Sequence, residues 1–210
     1  MRGIFVRHGE TEQIATGITQ GQGVGGDLNV LGKWQAQQVA LALQDERIDQ
    51  VYCSDLKRAV DTAEAILHYH PHIPIQYTPV LRERSLGMYE GKPKREWKEA
   101  SRLTTAPFHL FKPIGGESYE EVRQRIHAFY KKLVALHPDD TILLVTHGGT
   151  LGMLYLTLFE RPMTPQEYRQ YRPENTAVTI CEFHTDGKIQ IEILNSIQHL
   201  VSETMAQGIK

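Results

Sequence analysis

The apolar run Ile4-Phe5-Val6 stops at Arg7-His8-Gly9-Glu10-Thr11, and no other stretch constrains the fold of this chain as strongly. A short apolar run that ends at a glycine has the pattern of a buried strand whose backbone opens at its end. Open α/β sheets bind their ligands just beyond the carboxyl ends of such strands. His8 occupies that place. The chain repeats the pattern in Ile142-Leu143-Leu144-Val145-Thr146-His147-Gly148-Gly149. If the two strands are parallel neighbours, both imidazoles stand on one edge of one sheet.

Strand and helix patterns alternate between and after these runs. Residues 17–26 read as a glycine-rich loop, 31–44 as a helix and 48–53 as a second strand. Ser54-Asp55 has the form of an N-cap for a helix with Ala59, Ala63 and Ile66 on its apolar face. Pro71 and Pro74 break the chain before an extended piece at 75–77; a helix is expected over 93–103 and a loop over 104–116. Ser118 and Glu121 form a capping box for a helix that ends before Pro138. A further helix is expected over 150–159, then strands over 175–183 and 188–194 around a turn at 185–188. This alternation predicts an α/β fold of three αβα layers, with a mostly parallel central sheet and an antiparallel addition. The 210 residues suit one domain over 1–201, with a loose tail over 202–210.

A formal net charge of −2 gives no bulk attraction to nucleic acid or to an anionic membrane, so neither is expected as a partner. No apolar run approaches the length of a membrane span, and no signal-peptide pattern precedes the first strand. Cys53 and Cys181 are the only cysteines and lack metal-binding spacing. The expectation is a cytoplasmic protein with reduced thiols. The sequence does not indicate an oligomeric state.

A lone His8 or His147 could be structural. Arg7 beside His8 shifts the balance, because a cation at the mouth of a buried strand is unfavourable unless an anion meets it. Arg58, in the first turn of its helix, opposes the helix dipole but suits a bound phosphate. Glu83 lies between Arg82 and Arg84, either as a surface ion pair or as a carboxyl group placed to move a proton. His68, His70 and His72 suggest a metal, but they fall at a fraying helix end without cysteine or carboxylate nearby. Gly21, Gly23 and Gly26 match a dinucleotide-loop string, yet do not join a strand directly to a helix. No metal or cofactor is therefore expected. The basic run 92–95 reads as a solvated face or an entry for a polyanion, and Tyr69, Tyr77 and Trp97 as packing residues.

Four blocks in order carry a resemblance: Arg7-His8-Gly9-Glu10-Thr11, Ser54-Asp55-Leu56-Lys57-Arg58-Ala59, Leu81-Arg82-Glu83 with Gly87 and Glu90-Gly91, and Thr146-His147-Gly148. Together they resemble the histidine phosphatase family, which includes the cofactor-dependent phosphoglycerate mutases. The resemblance implies a phosphoglycerate mutase-like fold and a metal-independent phosphomonoesterase acting on a small phosphate ester. It makes His8 the phosphorylated nucleophile and Glu83 the proton donor. Arg7, Arg58 and a protonated His147 then hold the phosphoryl oxygens, with Thr11, Gln20, Gly21 and Gly148 as further binding residues. Segments 20–24, 87–92 and 113–118 are similar to TIGAR-type fructose-2,6-bisphosphatases.

The chain departs from the family pattern at Ile14, where an asparagine is usual, and at Ile18, where an arginine is frequent. The resemblance then implies weaker phosphate binding, or transfer of that task to Thr11 or the glycine loop. Two other activities fit the same motifs: a mutase that returns the phosphoryl group, and a binding module without turnover. The compact span from Glu83 to His147 favours the phosphatase over the mutase.

Overall fold

The computed structural model describes residues 1–201. The tail expected over 202–210 lies outside the described residues. The central sheet is built from β1 (Arg2–Arg7), β2 (Gln50–Cys53), β3 (Ile75–Tyr77), β4 (Thr141–Thr146), β5 (Val178–Phe183) and β6 (Ile189–Ser196). Its order is β3-β2-β4-β1-β5-β6. The first four strands are parallel, whereas β5 runs antiparallel to β1 and pairs with β6 as a hairpin.

Alternating side chains divide the core between the two faces of the sheet. Ile4, Val6, Val51, Cys53, Leu143 and Val145 face α2 (Val30–Ala42) and α3 (Lys57–Leu67). Phe5, Tyr52, Ile142 and Leu144 face α5 (Tyr119–Leu136) and α6 (Gly148–Leu158). The result is the three-layer arrangement anticipated from the alternation of patterns. Four-residue α1 (Glu12–Ala15), α4 (Lys94–Leu103) and α7 (Pro165–Tyr171) surround the carboxyl end of the parallel strands.

Two local readings are corrected, and one helix was not anticipated. Ser54-Asp55 does not cap α3: its N-cap is Leu56, with no side-chain cap hydrogen bond. Ser54 Oγ instead contacts His147 Nε2 at 2.7 Å, and Asp55 forms a bidentate pair with Arg82 at 2.7 and 2.6 Å. Helix α7 was not anticipated, although Thr164, Pro165 and Glu167 carry the start signal: the Thr164 side chain accepts from Glu167 N at 3.2 Å. The capping box at Ser118 and Glu121 forms as expected. His68 and His72 are exposed, and His70 bonds the Leu43 carbonyl. Tyr69 and Tyr77 are exposed rather than packed in the core.

Candidate active site

The register of β1 and β4 sets the site. Arg7 pairs with Thr146 in the parallel ladder, so the next residues, His8 and His147, leave the sheet side by side. Their ring centroids are 5.0 Å apart, and both are buried. His147 is also the N-cap of α6, which directs the positive end of that helix toward the site.

His8 Nδ1 lies 2.7 Å from the carbonyl of Gly9, which places its proton on Nδ1. Nε2 therefore keeps its lone pair, which accepts from Arg58 Nε at 3.3 Å. Burial, followed by the charges of Arg58 and Arg7, holds the His8 imidazole well below its usual value. It is neutral at pH 7. Asn175 Nδ2 bonds the His8 carbonyl at 2.9 Å, and the buried Thr176 N donates to the Arg7 carbonyl at 3.0 Å. Thr176 holds a positive φ of 55° to make that contact.

Arg7 and Arg58 are buried and have no carboxylate within ion-pair distance among the described residues. Arg7 Nη1 donates to the Pro173 carbonyl at 2.9 Å, while its buried Nε has no partner among them. Arg58 Nη2 donates to the Gly21 carbonyl at 2.8 Å. Burial lowers Arg7 to about 9 and Arg58 to about 10. Two desolvated guanidiniums without counter-charge favour an incoming anion.

The protonated His147 of the sequence reading does not hold in this geometry. Burial and the charge of Arg58 push its imidazole well below the usual value. Ser54 Oγ accepts from Leu56 N, leaving its hydroxyl proton for His147 Nε2. A neutral His147 in this tautomer carries its proton on Nδ1, a buried nitrogen with no partner among the described residues. It offers one directed donor rather than a charge.

Glu83 is not part of a surface ion pair with its neighbours. Arg82 binds Asp55, and Arg84 binds the carbonyls of Glu117 and Phe111. The Glu83 carboxylate accepts from the backbone N–H of Arg84 at 2.8 Å and of Gly149 at 3.0 Å. Arg125 holds the turn from behind through the carbonyls of Val80, Arg82 and Glu83.

The glycine loop is attached to this turn by Glu90, whose carboxylate accepts from the N–H groups of Gln22, Gly23 and Leu86 at 3.0, 2.8 and 2.9 Å. Gly21 has φ +54°, and a Cβ there would meet Glu90 Oε1 at 2.0 Å, so only glycine fits.

These elements enclose a cleft of about 730 Å³. Arg7, His8, Gln20, Gly21, Arg58 and Glu83 line it, whereas His147 stands beside His8 and is not among the lining residues. Gly148 lies at the first turn of α6, packed under Arg172. Thr11 is placed otherwise: it caps α1 and donates to Gln20 Oε1 at 2.9 Å, so it supports a lining residue from behind. Ile14 and Ile18 line the cleft with apolar side chains. Trp97, expected only to pack, and Lys94, from the basic run, line it as well. Sequence reasoning missed Arg172, Ser54 and Asn175; the Thr-Pro-x-Glu start of α7 was the one signal pointing toward Arg172.

Comparison with known proteins agrees with this geometry. A family model described as the histidine phosphatase superfamily (branch 1) matches residues 4–196. The metal-independent phosphoserine phosphatase of Arabidopsis thaliana is 35% identical over 208 residues, covering 95% of this chain and 83% of the relative. Fructose-2,6-bisphosphatase TIGAR B of Danio rerio is 37% identical over 151 residues, covering 70% of this chain and 56% of the relative. The structure of YhfR from Bacillus stearothermophilus superposes with a TM-score of 0.85 at 27% identity, covering 95% of this chain and 99% of that one. The chain belongs to the histidine phosphatase superfamily, branch 1, and is a phosphatase with the phosphoglycerate mutase-like fold.

Proposed function

We propose that the chain hydrolyses small phosphate monoesters through a phosphohistidine at His8, without a metal ion. The observation that carries this reading is the state of His8: a neutral ring whose unprotonated Nε2 faces a buried guanidinium that has no carboxylate partner among the described residues. When an ester enters, Arg58 and Arg7 bind its phosphoryl oxygens, and the His147 Nδ1–H and the N-terminus of α6 add donors. These groups stabilise the charge on the equatorial oxygens during transfer.

In the first step, His8 Nε2 attacks phosphorus and the bond to the leaving oxygen breaks. A protonated Glu83 gives its proton to that oxygen, and the alcohol departs. The Gly9 carbonyl, already bonded to Nδ1–H, stabilises the positive charge that the ring acquires. In the second step, the Glu83 carboxylate takes a proton from water as the water oxygen attacks phosphorus. The P–N bond breaks and inorganic phosphate is released.

The experiment is phosphate release from an aryl phosphate, 3-phosphoglycerate, phosphoserine, 2,3-bisphosphoglycerate and fructose-2,6-bisphosphate, with chelator present. Wild type and His8→Ala are compared. Release that survives chelation and disappears in the variant supports the reading. Release that needs added metal, or that His8→Ala retains, contradicts it.

A further inference from the structure

The cleft is larger and more positive than one phosphoryl group requires. Beyond Arg7 and Arg58 at its base, Lys94, Lys98 and Arg102 line it from α4, and Arg169 and Arg172 from α7 and its C-cap. None of these side chains has a carboxylate within ion-pair distance among the described residues, whereas Arg2, Arg82, Lys112 and Arg123, all outside the cleft, do. Unpaired cations are thus gathered in one place, in a chain whose net charge is −2. Glu83 is the only carboxylate lining the cleft among the described residues, and two backbone amides already hold it.

Arg172 connects the base of the cleft to its outer wall. A Cβ built on Gly148 would lie 3.1 Å from the Arg172 guanidinium carbon, so this side chain reaches the first turn of α6. Its charge contributes to the lowering of Arg7 and His8 at the base and of the half-buried Lys94 on α4. Among the described residues, Lys94 Nζ donates only to the Ile14 carbonyl, at 3.3 Å. Thr19 and Trp97, which also line the cleft, each carry a buried polar atom without a partner among the described residues: Thr19 Oγ1 and Trp97 Nε1. Such groups suit a polar occupant.

We propose that Arg172 and Lys94 form a second anion subsite, selecting phosphate esters whose leaving alcohol carries a further negative group and no positive one. The proposal rests on the reading of the cleft as a phosphate-ester site. A guanidinium and an ammonium at separate points hold a carboxylate or a second phosphate, the first by paired N–H groups and the second as a point charge. An ammonium on the leaving group finds no free carboxylate. The cleft therefore discriminates against zwitterionic esters, although a phosphoserine phosphatase is among the relatives.

The test is calorimetric binding to His8→Ala protein, which retains the cleft and cannot form the phosphohistidine. The ligands are glycerol 3-phosphate, 3-phosphoglycerate, glycerol 1,3-bisphosphate and phosphoserine. The two esters with an added anion are expected to bind about tenfold or more tightly than glycerol 3-phosphate, as charged hydrogen bonds are added. Comparing them identifies carboxylate or phosphate as the preferred group, and phosphoserine is expected to gain nothing. Arg172→Gln in the same background removes the preference, and Arg172→Lys restores part of it. Lys94→Gln, on a separate helix, reduces it independently, so a folding defect in one variant does not decide the result. Equal binding of all four esters, no binding of any, tighter binding of phosphoserine, or a preference that survives both variants overturns the proposal. Phosphate release by protein with His8 intact is measured separately: its absence counts against hydrolysis and leaves the binding result standing.

Discussion

Arg58 donates its Nε–H to His8 Nε2 across 3.3 Å, with both side chains buried and no carboxylate beside them. A cation is thus held in the interior with only a neutral ring and the Gly21 carbonyl as hydrogen-bond partners among the described residues. That arrangement is poor for stability and good for receiving a phosphoryl group. Arg58→Met, which keeps the volume and removes the charge, is expected to raise unfolding free energy by about 1–2 kcal/mol in phosphate-free buffer. The same change is expected to lower kcat/KM by roughly 10²–10³-fold. Added phosphate should raise the Tm of wild type more than that of the variant. Thermal scans with and without phosphate check the two stability signs and steady-state kinetics check the third; a less stable Arg58→Met protein contradicts the argument.

His8 and His147 are both held well below the ordinary imidazole value of 6.5 by burial and by nearby guanidiniums. As pH falls through that value, the unfolded chain takes up protons that the folded chain refuses. Stability is therefore full above pH 6.5 and declines below it, by at most about 3 kcal/mol per pH unit for two such groups. Urea unfolding between pH 7.5 and pH 5 is expected to show this slope. His147→Gln should remove about half of it, and an unchanged slope in that variant places the proton uptake elsewhere.

Glu90 ties the glycine loop to the Glu83 turn through three backbone N–H groups. Glu90→Leu strands those donors, and a loss of about 2–4 kcal/mol is expected. Because the Gly21 carbonyl also positions Arg58, kcat should fall together with stability. Urea unfolding and steady-state kinetics on the same preparation check the coupling. Lost stability with intact kcat would separate the loop from the site.

Much of the site was legible because its main residues follow directly from local patterns. Two buried strands ending in His-Gly could be read from hydrophobic runs alone, and their parallel pairing put His8 beside His147. Arg58 was readable as a first-turn residue of a helix. What failed depended on partners remote in sequence. Ser54 looks like a helix cap until β2 and β4 bring His147 to it, 93 positions away. Thr11 looks like a phosphate ligand until Gln20 folds back over it. Arg172 carries no motif of its own: the start signal at Thr164 marks its helix, but its position follows from the seating of α7 on α6 through Tyr168 and Gly152. The charge of His147 was misjudged because desolvation is a property of the packed interior rather than of the neighbouring sequence.

Ile14 lines the cleft with an apolar side chain that offers a bound anion no hydrogen bond. Ile14→Asn adds one donor there. Inorganic phosphate should inhibit this variant about fivefold more strongly than wild type, the effect of one added neutral hydrogen bond. Unchanged inhibition means that the side chain at 14 does not reach the bound anion.

The central claim is a covalent phosphoryl group on His8, and rapid-quench trapping tests it most directly. Enzyme mixed with excess substrate is quenched in alkali during the first turnover, digested and mapped by mass spectrometry. The account predicts an alkali-stable, acid-labile phosphoryl group on the peptide containing His8, absent from His8→Ala. Steady turnover with an unmodified His8, or a phosphoryl group trapped on another residue, contradicts it.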